Sequence, residues 1–443
     1  MVSESGESVR RALIILDGLG DRPHPDTGGV SPVEAARTPN LDRLLNLGRS
    51  GRVMILGAGI APESDAGVLA LLGYDPVADS PGRGALEAMG VGIPLAPGDV
   101  ALRLNFATTD GEEIVLDSRV GRSLSTGEAR QLSENLTRAH LLAAEGIEAE
   151  VRPTVGHRGV LWLHPTDGSR LSSGISNADP FYEKIGGMGK AIRPEVPRVP
   201  AVRPTDSTPE AKRTAEAVEG FLERAKPILA GATVNARRAM SGKPVANGLL
   251  LRNAGTAPAV PLRSLPDRLG VSGAAVTEMP VERGIAHLVG LEDRFVGPMG
   301  PDRVAGYHDR ARVTRETMAA HGFTYVHLKG PDEPGHDRKA GEKREVVEAL
   351  DEAFFGPFLD GLDLSAVRLA ITADHATPCV LGMHSDDPVP LILAGGGVAA
   401  ESVGPPSTTR KFSEREAARG SLGQVYARDV LDLLFPHESV AAP

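Results

Sequence analysis

Disulfide chemistry is closed to this chain, because Cys379 is its only cysteine. A lone thiol fits a reducing compartment. Aromatic residues are scarce as well, at 4% with a single tryptophan, Trp162, which leaves little material for stacking nucleic-acid bases. Nor is positive charge in excess: 48 basic residues, mostly arginine, face 58 acidic ones, and the net charge of −10 repels a phosphate backbone. No nucleic-acid partner is expected, and a small anionic substrate has to be met by local cations or metals. Long apolar runs are missing too. The first, Ala12 to Leu16, is far shorter than a secretory core segment or a membrane span. A soluble, cytoplasmic protein without membrane contact is expected.

What is present is the composition of a globular protein, 41% hydrophobic and 24% charged, in a chain of 443 residues that is too long for one small core. The segment Ala12–Leu16 ends in Asp17-Gly, the pattern of a strand buried on both faces that delivers a carboxylate at its C-terminal edge. Phe323–Leu328 runs likewise toward Asp332, and Val367–Thr372 toward Asp374 and His375; Pro388–Gly395 reads as a further buried strand. Helical stretches at 302–321 and 340–355 lie between them. Such alternation predicts a doubly wound, mainly parallel α/β sheet. The middle of the chain differs: shorter strands at 101–120 and 149–165, amphipathic helices at 126–146 and 208–230, and a proline-rich extended crossing at 193–208. Residues 1–95 and 263–443 are therefore expected to form a catalytic core, and 96–262 an inserted α+β cap.

Asp17, Asp332, His336, Asp374, His375 and His384 all fall just beyond expected strand ends, the edge where open α/β sheets bind ligands. Taken singly, an Asp after a strand serves as a turn or cap residue, and a histidine such as His140, His157 or His321 as a packed or surface group. Taken together, three Asp and three His with a serine nearby suit a pair of divalent cations, which clamp the attacking and leaving oxygens of an in-line displacement when about 3.5–4 Å apart. The serine is Ser64, which opens the apolar helical stretch after Pro62-Glu63, where backbone N–H groups favour an anion. Its bland alternative is an N-cap. Arg119, Arg122, Arg252 and Arg283 are candidates to clamp a phosphate or carboxylate, and Lys329 to meet substrate, against solvated or structural roles for each. Gly395-Gly-Gly397 lacks a P-loop pattern and ends a strand, and Cys379 has no base partner.

Several blocks carry a family resemblance: Asp17-Gly-Leu-Gly-Asp-Arg-Pro23, Ser64-Asp through Leu71-Leu-Gly-Tyr-Asp-Pro76, Gly82-Arg-Gly-Ala-Leu-Glu87, His327-Leu-Lys-Gly-Pro-Asp-Glu-Pro-Gly-His336, Asp374-His-Ala-Thr-Pro-Cys379 and His384-Ser-Asp-Asp-Pro388. Through them nearly the whole chain resembles the archaeal-type, 2,3-bisphosphoglycerate-independent phosphoglycerate mutases of the alkaline phosphatase superfamily. The resemblance implies an alkaline-phosphatase-like core and two divalent metal ions (Mn, Zn, Co or Mg). One would sit on Asp332, His336 and His384, the other on Asp17, Ser64, Asp374 and His375. Ser64 would carry the phosphoryl group while 3-phosphoglycerate and 2-phosphoglycerate interconvert, and the cap would retain the acid between transfers.

The cap departs from the family pattern. Ser118 stands at an arginine position within Asp117-Ser-Arg-Val-Gly-Arg122. Ser176-Asn-Ala-Asp-Pro-Phe181 keeps Asp179, a substrate-binding candidate, but has Asn177 and Phe181 for an acid and a histidine. Arg283 replaces a lysine, and Met299 lies in a turn that normally holds threonine. With the metal blocks intact, these changes predict weak mutase activity and better transfer on another phosphorylated or phosphonylated carboxylic acid. A phosphohydrolase and a catalytically silent binder of phospho-metabolites are the other readings.

Overall fold

The computed structural model describes residues 9–185, 188–258, 260–401 and 410–436. They form two compact units, one of Met1–Ala78, Arg263–Glu282 and Ala286–Pro443, the other of Asp79–Leu262 with Arg283–Ile285. Numbered along the chain, the strands of the first unit are β1 (Arg10–Leu16), β2 (Arg49–Met54), β10 (Gly273–Thr277), β11 (Glu292–Phe295), β12 (Phe323–Leu328), β13 (Val367–Thr372), β14 (Val389–Gly395) and β15 (Gly423–Tyr426). Those of the second are β3 (Val100–Thr109), β4 (Val115–Asp117), β5 (Ile147–Pro153), β6 (Arg158–Pro165), β7 (Tyr182–Ile185), β8 (Met188–Ala191) and β9 (Gly248–Gly255).

The first unit is one sheet in the order β11-β10-β12-β1-β13-β14-β2-β15. The apolar run places β1 near its middle, where Ala12 to Leu16 are fully buried between β12 and β13. Both neighbours run parallel to β1, with Ile15 opposite His327 on one side and Thr372 on the other, so the chain leaves all three strands at the same edge. The sheet is mainly parallel, as expected. Its exception is β14, antiparallel to both β13 and β2. An all-apolar strand looks alike in either direction, so the pattern of 388–395 could not reveal this.

In the second unit β4, β3, β6 and β5 form an antiparallel sheet, with β9 also paired to β3. The helices Thr126–Arg138 and Pro209–Ala230 bury Leu132, Leu136, Val218 and Phe221 with Leu102, Leu104 and Phe106 of β3. The expected cap boundary at 95/96 is corrected here to 78/79. The helix Arg83–Gly90 lies so close to this sheet that a Cβ on Gly84 would be 2.2 Å from the Ala101 carbonyl oxygen, which ties 79–95 to the second unit. Arg283 belongs with that unit too, and not with the core where the sequence placed it: a Cβ on the adjoining Gly284 would sit 1.8 Å from the Leu86 carbonyl oxygen. Among the described residues, no helix is long and apolar enough to cross a membrane.

Candidate active site

Three strand ends and one helix start converge in the first unit. β1 delivers Asp17, 4% exposed, and β13 delivers Asp374 and His375, both fully buried. Beyond β12 a short helix, Asp332–His336, carries Asp332 and His336 one turn apart. His384 precedes β14. Gly18, at φ 62, makes the turn after Asp17 and donates its amide to Asp374 Oδ1 at 3.1 Å, leaving Asp374 Oδ2 to face the cluster.

Two groups of donor atoms result. In the first, one atom each of Asp332, His336 and His384 lies within 4.8 Å of the others. His384 Nδ1 donates to the Pro62 carbonyl at 2.8 Å, and His336 Nδ1 faces the Gly382 carbonyl at 3.4 Å. Both Nε2 lone pairs are thereby turned toward each other, 3.1 Å apart, with Asp332 Oδ1 at 3.4 and 3.6 Å. Two lone pairs and a carboxylate oxygen at such distances call for a shared positive charge. Burial disfavours charge on His384, but Asp332 and Glu63 outweigh it and push its pKa up to about 10.

The second group is Asp17, His327 and Asp374. Asp17 Oδ1, Asp374 Oδ2 and His327 Nε2 are buried without a hydrogen-bond partner, which fits a set of ligand atoms for a cation. His375 Nε2 joins them at 3.4 Å from Asp17 Oδ1 and 3.5 Å from Asp374 Oδ2. Thr377 sets its tautomer: the hydroxyl donates to Asp332 Oδ1 at 2.7 Å and so accepts from His375 Nδ1 at 3.0 Å, leaving Nε2 as the free lone pair. Burial raises the pKa of Asp374, with the charge of Asp17 adding to it against His375; in Asp17 burial is outweighed by the Lys329 ammonium together with the nearby His327 and His375 rings, and its pKa falls well below the usual range. The rings of His375 and His384 stack 3.8 Å apart, so the two groups share a wall.

Ser64 is the first residue of the helix Ser64–Leu71, and Glu63, not Ser64, holds the capping position. The helix can approach because residue 67 is glycine; a Cβ there would lie 2.3 Å from the Asp374 carbonyl oxygen. Ser64 Oγ comes to 3.2 Å from His375 Nε2. A half-buried hydroxyl at a helix start beside these donor groups has the surroundings of a nucleophile.

Lys329 is paired within the first unit. Its ammonium is 3.0 Å from Asp17 Oδ2 and 2.8 Å from Glu282 Oε1. Burial opposes its charge, yet Asp17, Glu282 and Asp374 hold its pKa above the ordinary value. His327 was passed over in the sequence because it lies inside an apolar strand and not beyond its end. Its ring faces the Tyr325 hydroxyl at 2.9 Å, and only a titratable group within a buried strand could have drawn notice.

The remaining candidates lie in the second unit. Arg252 on β9 pairs with Asp179, Nη1 to Oδ2 2.5 Å, both nearly fully buried, and its guanidinium lies 4.2 Å from the centre of the Tyr182 ring. Arg103 stands directly opposite Arg252 across the β3–β9 ladder and pairs with Glu87 at 2.8 Å, which Arg83 also approaches at 3.5 Å. Burial and then the Arg83 charge push the Arg103 pKa down to about 9. Burial and the neighbouring Arg158, Arg119, Arg252 and Arg122 likewise lower His157 to about 4. Arg119 and Arg122 are exposed, on a turn held by Asp117, whose carboxylate accepts from the amides of Arg119 and Gly121. Arg83, Arg103 and Arg158 were passed over, and His157 was read as a packed or surface group, because they come from three separate elements (the helix Arg83–Gly90, β3 and the start of β6) that only the fold assembles. Cations of like sign at such spacing repel one another, and an anion among them would relieve that repulsion.

Two of the cap departures have structural roles. Asn177 donates to the Tyr182 carbonyl and accepts from the Asn253 amide, each at 3.0 Å. Phe181 packs on Ala107, Val115 and Leu250. Nothing in the structure explains Ser118.

Residues 46–235 match the family described as 2,3-bisphosphoglycerate-independent phosphoglycerate mutase. Proteins of that name from Aeropyrum pernix and Pyrococcus abyssi are 41% and 37% identical to the chain, over 93% and 96% of it and 95% and 96% of their own lengths. A solved cofactor-independent phosphoglycerate mutase from Thermoplasma acidophilum superposes with a TM-score of 0.61 at 30% identity, covering 97% of this chain and 99% of its own. A solved Pyrococcus horikoshii protein reaches 0.75, also at 30%, covering 98% and 100%. The chain belongs to the 2,3-bisphosphoglycerate-independent phosphoglycerate mutase family.

Proposed function

We propose that the protein interconverts 3-phosphoglycerate and 2-phosphoglycerate through a phosphoserine on Ser64. The observation that carries this reading is Ser64 Oγ at a helix start, 3.2 Å from His375 Nε2 and beside two convergent sets of carboxylate and imidazole donors. Asp332, His336 and His384 are assigned to one divalent cation, and Asp17, Asp374, His375 and Ser64 to a second, with His327 at its buried side. Bound there, such cations supply Lewis-acid charge that lowers the serine hydroxyl pKa and neutralises the transferring phosphoryl oxygens.

The chain's own residues do the rest. The Ser64 hydroxyl gives up its proton and its oxygen forms a bond to phosphorus as the bond to the glycerate oxygen breaks, and a proton is returned to that glycerate oxygen, so the proton count is unchanged. The N–H groups at the start of the helix Ser64–Leu71 stabilise the phosphoserine oxygens. In the reverse step the neighbouring glycerate hydroxyl loses its proton and attacks, and Ser64 is regenerated. In the second unit the arginines around Arg103 and Arg252, with Arg119, Arg122 and Arg283, are assigned to bind carboxylate or phosphate.

The specialised reading keeps one supporting observation: an apolar side chain, Phe181, occupies a family histidine position. An enolase-coupled assay separates the two. Turnover of 3-phosphoglycerate at metabolite-level concentrations supports the mutase. Its absence, with phosphoryl transfer from a related phosphonylated or phosphorylated acid, supports specialisation.

A further inference from the structure

The helix Ala340–Leu350 carries a lysine with no access to solvent. The Lys343 ammonium meets the carbonyl oxygens of Gly18 at 2.9 Å, Thr377 at 3.0 Å and Gly20 at 3.2 Å, and Asp21 Oδ2 at 2.9 Å. Four acceptors share three N–H donors, so nothing of this group is left over for a substrate.

Its partners belong to the two turns that present the ligands. Residues 17–21 follow β1 and carry Asp17; residues 374–379 follow β13 and carry Asp374 and His375. The turns are cross-linked, with the Thr377 amide donating to the Gly20 carbonyl at 3.0 Å and the Cys379 amide to Asp21 Oδ1 at 3.0 Å. Lys343 holds the far side of the same residues that support the ligands. Gly18, bonded to it through the carbonyl, holds Asp374 Oδ1 through its amide. Thr377, likewise bonded through its carbonyl, supports Asp332 and His375 through its hydroxyl. One cation therefore anchors supports for both donor groups.

We propose that Lys343 is a positioning residue that fixes the 17–21 and 374–379 turns in the geometry needed to bind divalent cations. The inference rests on the metal assignment above. A compact ammonium suits three converging carbonyls where a planar guanidinium does not. Residues that orient metal ligands from behind typically cost 10–100-fold in metal affinity when changed, roughly.

The test uses the full chain as K343M, and as D21N/K343M, which removes the carboxylate that would otherwise be left buried and unpaired. Mn2+ affinity is measured by calorimetry on metal-stripped protein, alongside the unfolding midpoint of the stripped protein and kcat and KM. Positioning predicts that folded D21N/K343M binds Mn2+ ~10–100-fold more weakly, and that kcat falls while KM stays near the wild-type value. Excess Mn2+ should restore part of kcat. A folded variant with wild-type affinity and kcat overturns the proposal and leaves Lys343 a structural plug, whatever its unfolding midpoint. Wild-type protein that binds no Mn2+ would instead sink the metal assignment.

Discussion

Ser64→Ala separates catalysis from folding with unusual clarity, because the structure denies this hydroxyl a capping role. Ser64 is the first helical residue and its Oγ makes one contact, to His375 Nε2 at 3.2 Å. Losing one half-buried hydrogen bond costs about 0.5–1.5 kcal/mol, and alanine recovers up to ~0.5 kcal/mol of helix propensity. The variant should stay within ~1 kcal/mol of wild type in urea unfolding. Removing the nucleophile from a set of groups that act together costs on the order of 10^4–10^6 in kcat, about 5.5–8 kcal/mol of barrier at ~1.4 kcal/mol per tenfold. The enolase-coupled rate should therefore fall to background while the fold and metal content persist. Acid-quenched wild-type enzyme should show phosphate on the peptide containing Ser64. Retention of more than about a tenth of turnover would mean another nucleophile; loss of several kcal/mol of stability would mean the hydroxyl is structural.

Chelation should abolish activity and Mn or Co restore it, with elemental analysis of the active protein showing divalent metal; His384→Ala should lower the content toward half, since it strips a donor from the Asp332 group alone. His157 should titrate near 4 by NMR, and not near 6.5. Because its folded pKa is depressed, its contribution to stability is full above about 6.5 and is lost as pH falls toward 4. Inorganic phosphate bound among the arginines should raise that pKa, and an unshifted His157 would place the cations elsewhere. Asp179→Ala leaves Arg252 buried and uncompensated beside Arg103, and should cost about 3–5 kcal/mol in urea unfolding. A loss below ~1 kcal/mol would show the pair to be solvated.

The parts of the sheet that could be read from sequence are those whose burial is complete. β1, β12 and β13 are mostly apolar because each is covered on both faces over most of its length, and such runs announce where they stop. Asp17 and Asp374 were visible for the same reason: a carboxylate ending an apolar run stands out. His327 obeyed the opposite logic, sitting within the run, where periodicity assigns it to packing. The direction of β14 leaves no trace in composition, since a parallel and an antiparallel strand buried on both faces demand the same residues. The cap boundary failed at the helix Arg83–Gly90, whose allegiance is decided by Gly84 against the Ala101 carbonyl, a contact between residues 17 positions apart.

Arginine gave the weakest signal because its abundance hides the few residues that matter. What distinguishes Arg103 and Arg252 is a violation: two like charges face each other across neighbouring strands, where such pairs are destabilising. Glu87 and Asp179 offset part of that, while Arg83 and Arg158 add to it. A fold selected only for stability would replace this set with aliphatic residues, as buried ion pairs can often be replaced without loss. The first unit shows the converse excess, with Asp17 and Asp374 within a metal's reach of each other and, among the described residues, Lys329 as the permanent cation paired with Asp17. Each unit thus concentrates charge of one sign, offset only in part by the pairs named, where its own sheet gains nothing from it. Under the proposed function these local violations are where ligands would complete the electrostatics: cations at the carboxylate edge of the first unit, and a carboxylate or phosphate at the arginines of the second.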